Sequence, residues 1–387
     1  MAKNILMYLM STPKPQGGGV SKMVSIITDI YEKNGYKVFY TAFEKLDENY
    51  SEKISYFPSL NPLDSQNREF LVRLIKEKGI SIVINQIPLN VSFSDLLYSV
   101  KDNTHVKIVS IIHNASLNIF SNIAYRYEYN WKDNWKKIFF IIFKHNKVKK
   151  IVEYAYVIKH RKHYRNMENY SDSVILVSES NREDVERILG YKSNKIKDIP
   201  NGIVLPSSNN FKKEKSIVWC GLVETTRKRA DMMVDIWCFI SDKHPEWTLY
   251  ILGYDEDNIV QKYANSKNAQ NIVFTGNTNP IPYYEKASIF CHTSVSESFG
   301  LTIAEAMSYG AVPVVFDGYP ASKDVVPDGC GYRIKGFDRK SFANTLSKLM
   351  ENESLISSIR IKSQESVIRY SVETISAKWI NLIEELK

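Results

Sequence analysis

The chain has 387 residues, of which 44% are hydrophobic and 24% charged, enough for two ordinary domains with their own cores and unlike a disordered chain. No run reaches the ~18 consecutive apolar residues of a membrane span, and Cys220, Cys238, Cys291 and Cys330 lack the paired spacing of a zinc or redox motif. The net charge of +8 is local: from Arg126 to Arg165, twelve Lys or Arg face three acids, Glu128, Asp133 and Glu153, so the rest of the chain is near neutral and no nucleic-acid partner is expected.

In chain order, residues 4–10 read as a buried strand rather than a signal peptide, because no small-residue cleavage site follows and the run leads into a glycine turn. This predicts a cytoplasmic chain. The turn, Pro15-Gln16-Gly17-Gly18-Gly19, precedes a helical pattern over 20–33, so backbone at Gly18 and Gly19 can approach a ligand closely. An ordinary tight turn reads the same way. A dinucleotide fingerprint, favoured by Glu44 after the next strand, fails because Lys22 stands where its third glycine belongs. Strands are predicted over 36–42, 80–85, 106–112 and 173–178, and a helix over 68–78, with Gly35 and Gly79 as helix stops. His113 ends the strand 106–112. From 131 to 150, Trp131, Trp135, Ile138 and Ile142 recur at helical spacing among lysines. That composition fits either a core helix with solvated lysines or an interfacial helix on an anionic membrane, and the second reading makes residues 131–165 a peripheral contact at the inner face of the cell membrane.

A turn-rich stretch, Asp198-Ile-Pro-Asn-Gly-Ile-Val-Leu-Pro, marks a domain boundary. Strands over 216–220, 247–252, 271–275, 287–292 and 311–315 then alternate with helices over 230–241, 301–309 and 341–350. The expected organisation is a first Rossmann-like domain over 1–200, a second over 201–370, and a final helix over 371–387. Alternation of this kind builds parallel sheets, with ligands at the carboxyl ends of the strands.

The chemistry concentrates in Thr293-Ser-Val-Ser-Glu297-Ser-Phe-Gly300-Leu-Thr-Ile-Ala-Glu305-Ala-Met-Ser-Tyr-Gly310-Ala-Val-Pro-Val-Val. A strand end, a glycine turn and a helix start place free N–H groups where a phosphate can sit. Glu297 before the helix and Glu305 within it can accept hydrogen bonds from hydroxyls at two ends of one extended ligand. A second loop, Gly221-Leu222-Val-Glu-Thr-Thr-Arg227-Lys228-Arg229-Ala-Asp231, is rich in cations. Asp255-Glu-Asp257 resembles a metal-binding triplet, but its place in a second-half loop argues against a metal site.

The 293–315 segment resembles the Glu-x7-Glu signature of the family 4 glycosyltransferases, retaining enzymes of the GT-B fold, in which two Rossmann-like domains face each other across a cleft. Ser173-Val-Ile-Leu-Val-Ser-Glu-Ser, Ile199-Pro-Asn-Gly-Ile and Trp247-Thr-Leu-Tyr-Ile-Leu-Gly extend the similarity over most of the chain. The resemblance implies a hexosyltransferase moving a sugar from a UDP- or GDP-linked donor, without a metal cofactor, to a glycan or lipid-linked acceptor of a surface polysaccharide. It gives Glu305 the donor ribose, Glu297 the transferred sugar, and the backbone of Phe299, Gly300 and Leu301 the phosphates or sugar. Lys228 matches the lysine that neutralises the leaving diphosphate. Leu222 replaces an arginine usual in the family, so Arg227 or Arg229 is expected to substitute. His113 occupies the place of a cleft histidine near the sugar, Gly18 and Gly19 lie near the phosphates, and residues 371–386 resemble the helix that braces the first domain. A catalytically silent subunit partnering an active transferase is the alternative, favoured by Leu222 and opposed by intact Glu297, Glu305 and Lys228.

Overall fold

A computed structural model describes residues 4–13, 18–46, 53–114, 117–128 and 137–386. Seven strands form one wholly parallel sheet: β1 (Asn4–Ser11), β2 (Lys37–Glu44), β3 (Ile54–Tyr56), β4 (Ile82–Asn85), β5 (Lys107–Ile112), β6 (Ser173–Leu176) and β7 (Ile196–Asp198), in the order β3-β2-β1-β4-β5-β6-β7. Six form a second: β8 (Glu214–Cys220), β9 (Thr248–Leu252), β10 (Ile272–Gly276), β11 (Ala287–His292), β12 (Val312–Phe316) and β13 (Tyr332–Ile334), in the order β10-β9-β8-β11-β12-β13. The mixed α/β class with two parallel sheets is the one the sequence predicts. Helices cover both faces of a parallel sheet, so its central strands are apolar without alternation; β4, β11 and β12 are buried at every residue.

The strand orders matter for function. In the second sheet β8, β9 and β10 run outward in one direction, and β11 then starts on the other side of β8. The loops after β8 and β11 therefore leave in opposite directions and open a crevice between the two strand ends, where doubly wound sheets bind ligands. In the first sheet the same reversal falls between β1 and β4.

The chain divides into two compact units, the first made of residues 1–114, 156–202 and 372–387, the second of 115–155 and 203–371. The final helix, Val372–Glu385, buries Ile375, Trp379, Leu382 and Ile383 within the first unit. Trp379 meets Tyr31 of helix Gly19–Lys33 edge-on at 6.4 Å, and the Tyr36 hydroxyl donates to Glu384 at 2.9 Å. Residues 115–155 fall before the turn-rich boundary in sequence yet belong to the second unit. The cause is a set of polar anchors. Asn122 Nδ2 donates to the carbonyls of Val295 (2.8 Å) and Gly318, while Glu128 accepts from Arg229 (3.0 Å) and Arg339 (2.7 and 3.1 Å). The second unit's core is built on Trp219, Trp237, Ile289, Phe316 and Phe342.

One glycine in the second sheet is fixed by close approach. Gly253, just after β9, has φ +139°, and a Cβ there would lie 1.7 Å from the Gly221 carbonyl oxygen at the end of β8. Gly253→Ala should therefore force the two strand ends apart and cost about 3 kcal/mol or more from overpacking and backbone strain. A denaturant midpoint within ~0.5 kcal/mol of wild type would contradict this packing.

Candidate functional site

The strand ends β8 and β11 lie side by side, and the loops that follow them are sewn together. Val295 N donates to Arg227 O at 2.8 Å, and the Ser294 hydroxyl to the same carbonyl at 3.1 Å. Thr293 Oγ1 accepts from Trp219 Nε1 at 2.9 Å and lies 2.8 Å from Arg229 O. These bonds replace ladder bonds that the strands can no longer make, and they bring Lys228 onto Glu297.

Lys228 Nζ pairs with Glu297 Oε1, both side chains largely buried. His292 Nε2 stands 3.4 Å from the same carboxylate oxygen, and the Tyr319 hydroxyl 3.2 Å from His292 Nδ1. A neutral imidazole with its proton on Nε2 suits both contacts, turning its N–H toward the Glu297 carboxylate and accepting from Tyr319 at Nδ1. Burial pushes the His292 pKa down, ahead of the opposing pull of Glu297. Burial would raise that of Glu297, but the charge of Lys228, the His292 hydrogen bond and the charge of Arg227 outweigh it and hold the carboxyl well below the usual range. Glu297 is thus an anion at neutral pH and a hydrogen-bond acceptor.

Gly300, at φ +103°, turns the chain into helix Leu301–Ser308 in a conformation that other residues resist. The helix's first N–H groups and its positive dipole end follow directly on the Glu297 loop. Phe299 is buried edge-on against Tyr370, ring centroids 5.0 Å apart, so its side chain packs and only its backbone remains for a ligand. Glu305 is buried in the second turn. Its charge reaches the hydroxyls of Tyr284 and Tyr309, whose pKa values are raised first by burial and further by neighbouring groups including Glu305.

The two arginines flanking Lys228 differ sharply. Arg227 keeps 44% of its side chain exposed, 3.8 Å from Glu224, and its charge acts on Glu297. Arg229 is wholly buried at φ +54°, its guanidinium bound to Asp231 (2.7 to 3.2 Å), Glu128 and the Tyr125 carbonyl. Burial would favour its neutral form, but Asp231 and Glu128 outweigh that and keep it charged. Its donors are committed to the protein, which corrects the expectation that it binds donor; Arg227 and the half-exposed Leu222 stay open to solvent on the same loop.

In the first unit, His113 follows β5, and its Nε2 lies 2.6 Å from Gln86 Oε1 at the end of β4. Burial lowers its pKa to about 4, so the ring is neutral and its Nε2–H donates to Gln86. Gly18 caps helix Gly19–Lys33 at φ −62°, and a Cβ at either Gly18 or Gly19 would meet nothing within 4 Å. Among the described residues neither backbone nor packing demands glycine there. Pro15, Gln16 and Gly17 lie outside the described residues. Asp255 caps the following helix, accepting from Val260 N at 3.2 Å and Gln261 N at 2.9 Å. Among the described residues no group of three or more His, Cys, Asp or Glu is placed to hold a metal ion. Gln86, Asn122, His292 and Tyr319 carry no sequence signal of their own; only the sheet order and loop contacts bring them to these positions.

Comparison with known proteins agrees with this geometry. The chain is 28% identical over 199 residues to an uncharacterized glycosyltransferase of Haemophilus influenzae, covering 50% of this chain and 56% of that protein. It is 26% identical over 392 residues to the poly(glycerol-phosphate) alpha-glucosyltransferase of Bacillus subtilis, covering 92% of this chain and 54% of that one. The chain thus spans about half the length of these relatives. Among solved structures, the pneumococcal O-GlcNAc transferase GtfA, in complex with UDP and GlcNAc, superposes with a TM-score of 0.74 at 13% identity over 99% of both chains. That likeness, together with the two parallel sheets, shows the GT-B fold. Residues 214–352, which hold Lys228, Glu297 and Glu305, match the family described as Glycosyl transferases group 1.

Proposed function

We propose that this chain is a retaining glycosyltransferase that moves a sugar from a nucleoside-diphosphate sugar to a glycan or lipid-linked acceptor of a surface polysaccharide. The observation that carries the reading is the convergence, at the switch point of the second sheet, of the Lys228 ammonium, the Glu297 carboxylate and the start of helix Leu301–Ser308. A diphosphate needs cationic and N–H donors as its charge grows on departure; Lys228, Arg227 and the helix start supply them. Glu305 takes the ribose hydroxyls and Glu297 a hydroxyl of the transferred sugar. The sugar C1–oxygen bond to the diphosphate breaks, the acceptor oxygen bonds C1 on the same face, and its proton passes to the departing phosphate oxygen. No side-chain nucleophile is required. In this reading the first unit takes the acceptor, while His113 serves the transferred sugar and the Gly18–Gly19 backbone the donor phosphates.

The UDP in the GtfA complex favours a uridine donor, and the name of the Bacillus relative favours a polyol-phosphate acceptor. The Lys228–Glu297 pair disfavours a silent subunit, which has no use for a largely buried ion pair before a helix start. A thermal-shift screen of UDP, GDP, ADP, CMP and their common sugars, run in EDTA, tests the reading. One nucleoside diphosphate should raise Tm without divalent metal; no shift from any of them, or a shift only when manganese is restored, would contradict it.

A further inference from the structure

Helix Lys137–Lys144 reads Lys-Ile-Phe-Phe-Ile-Ile-Phe-Lys, six apolar residues between two lysines. A helix that is apolar all round is ordinarily buried on every side. Among the described residues one side is covered: Phe139 and Phe143 lie against Tyr127 at 5.6 and 5.5 Å, and Phe140 against Tyr125 at 6.0 Å. Ile138, Ile141 and Ile142 are left 40 to 63% exposed.

The next helix, Asn146–Tyr170, continues the pattern. Ile151, Tyr154 and Ile158, at spacing that stacks them on one face, are 55 to 66% exposed. Lys147 and Lys162 lie at the two ends of this row, and Lys150 and Lys159 on its two shoulders, all exposed. The helix's only acids, Glu153 and Glu168, are both buried. The exposed face therefore presents isoleucines and lysines with no carboxylate of its own helix among them.

We propose that these two helices form a docking surface for a bilayer carrying anionic phospholipid, the isoleucines entering the boundary between headgroups and acyl chains and the lysines meeting phosphates. Charge complementarity selects this occupant. A second copy would set the same lysines against themselves, and a nucleic-acid backbone would leave the isoleucine row unused. No helix among the described residues is long and apolar enough to cross a membrane, so the contact is peripheral. Trp131, Trp135 and Lys136 lie outside the described residues.

The test is sedimentation of the full chain with vesicles of phosphatidylcholine alone and of phosphatidylcholine mixed with phosphatidylglycerol, at low and high salt. No sugar donor is present, so the result stands apart from the transfer reading. The wild-type chain should bind the mixed vesicles, release them at high salt and ignore neutral ones. Lys147→Gln/Lys150→Gln/Lys159→Gln/Lys162→Gln should bind on the order of a hundredfold more weakly. Ile151→Ser/Ile158→Ser should lose about tenfold or more. Both variants alter only exposed side chains, and circular dichroism confirms their folding. Absence of binding, equal binding to neutral and mixed vesicles, or wild-type binding by either variant would overturn the proposal. So would a concentration-dependent dimer that Ile151→Ser/Ile158→Ser abolishes, which would assign the face to a second copy.

Discussion

Replacing Lys228 with Ala should lower kcat about 10²- to 10³-fold, the usual loss when one group stabilising transition-state charge is removed. Lys228 stands on the loop after β8, paired with Glu297 from the loop after β11, so in the proposed mechanism one substitution removes the leaving-group cation and the counter-charge of Glu297 together. Far-UV circular dichroism should be unchanged, since the Lys228 backbone is held independently by its N–H to Glu224 at 3.0 Å. A second signature separates this role from mere packing. In the wild type Glu297 is ionised far below neutral pH, because Lys228, His292 and Arg227 outweigh its burial. Without Lys228 burial weighs more heavily against the charge, the carboxyl pKa rises, and the residual activity should fall at an acid limb that the wild type reaches only at lower pH. Activity within threefold of wild type, roughly 0.6 kcal/mol, would remove Lys228 from the mechanism.

Arg229→Ala should destabilise the chain by about 3 to 5 kcal/mol, because it leaves Asp231 fully buried and unpaired. The guanidinium also ties residues 117–128 to the second unit through Glu128 and the Tyr125 carbonyl. Limited proteolysis should then cut first in that segment. Arg229→Met combined with Asp231→Leu, which removes both charges, should recover a good part of the loss. The anchor is also acid-sensitive. Burial would raise the Glu128 pKa, but hydrogen bonds and charges from Arg339 and Arg229 bring it below its ordinary value. Its folded pKa lies under its unfolded one, so its contribution is complete above about pH 5 and declines as pH falls through the folded pKa. A loss under ~1 kcal/mol in Arg229→Ala would be the loss of a surface ion pair, not of a buried one.

These two residues also show what sequence can and cannot resolve. Strands β1, β8, β11 and β12, the glycine turn at Gly300 and the two glutamates are legible because each is a local pattern: an apolar run, a turn former, a fixed spacing along one helix start. Arg227 and Arg229 stand one either side of Lys228 and are indistinguishable by spacing. What separates them is the left-handed backbone at Arg229, which turns its side chain inward onto Asp231, and a partner, Glu128, 101 residues earlier. The placement of residues 115–155 fails to show in sequence for the same reason, since its anchors are pairings over more than a hundred positions. Strands β3, β7 and β13 have three residues each, too short for periodicity to register. His292 reads only as the end of a strand; its contact with Glu297 exists because β11 lies beside β8 and the two loops are bonded together.

Calorimetric titration of the nucleoside diphosphate selected by the thermal-shift screen, into wild type and Glu305→Ala side by side, probes the donor site most directly. Glu305 is buried in the helix that starts at Gly300, so its truncation tests the proposed hydrogen bonds to the ribose without touching Lys228 or Glu297. Affinity should fall by about 1.5 to 3 kcal/mol, roughly ten- to a hundred-and-fifty-fold, with the fold intact by circular dichroism. Unchanged affinity in a folded Glu305→Ala would contradict a nucleotide held at this helix.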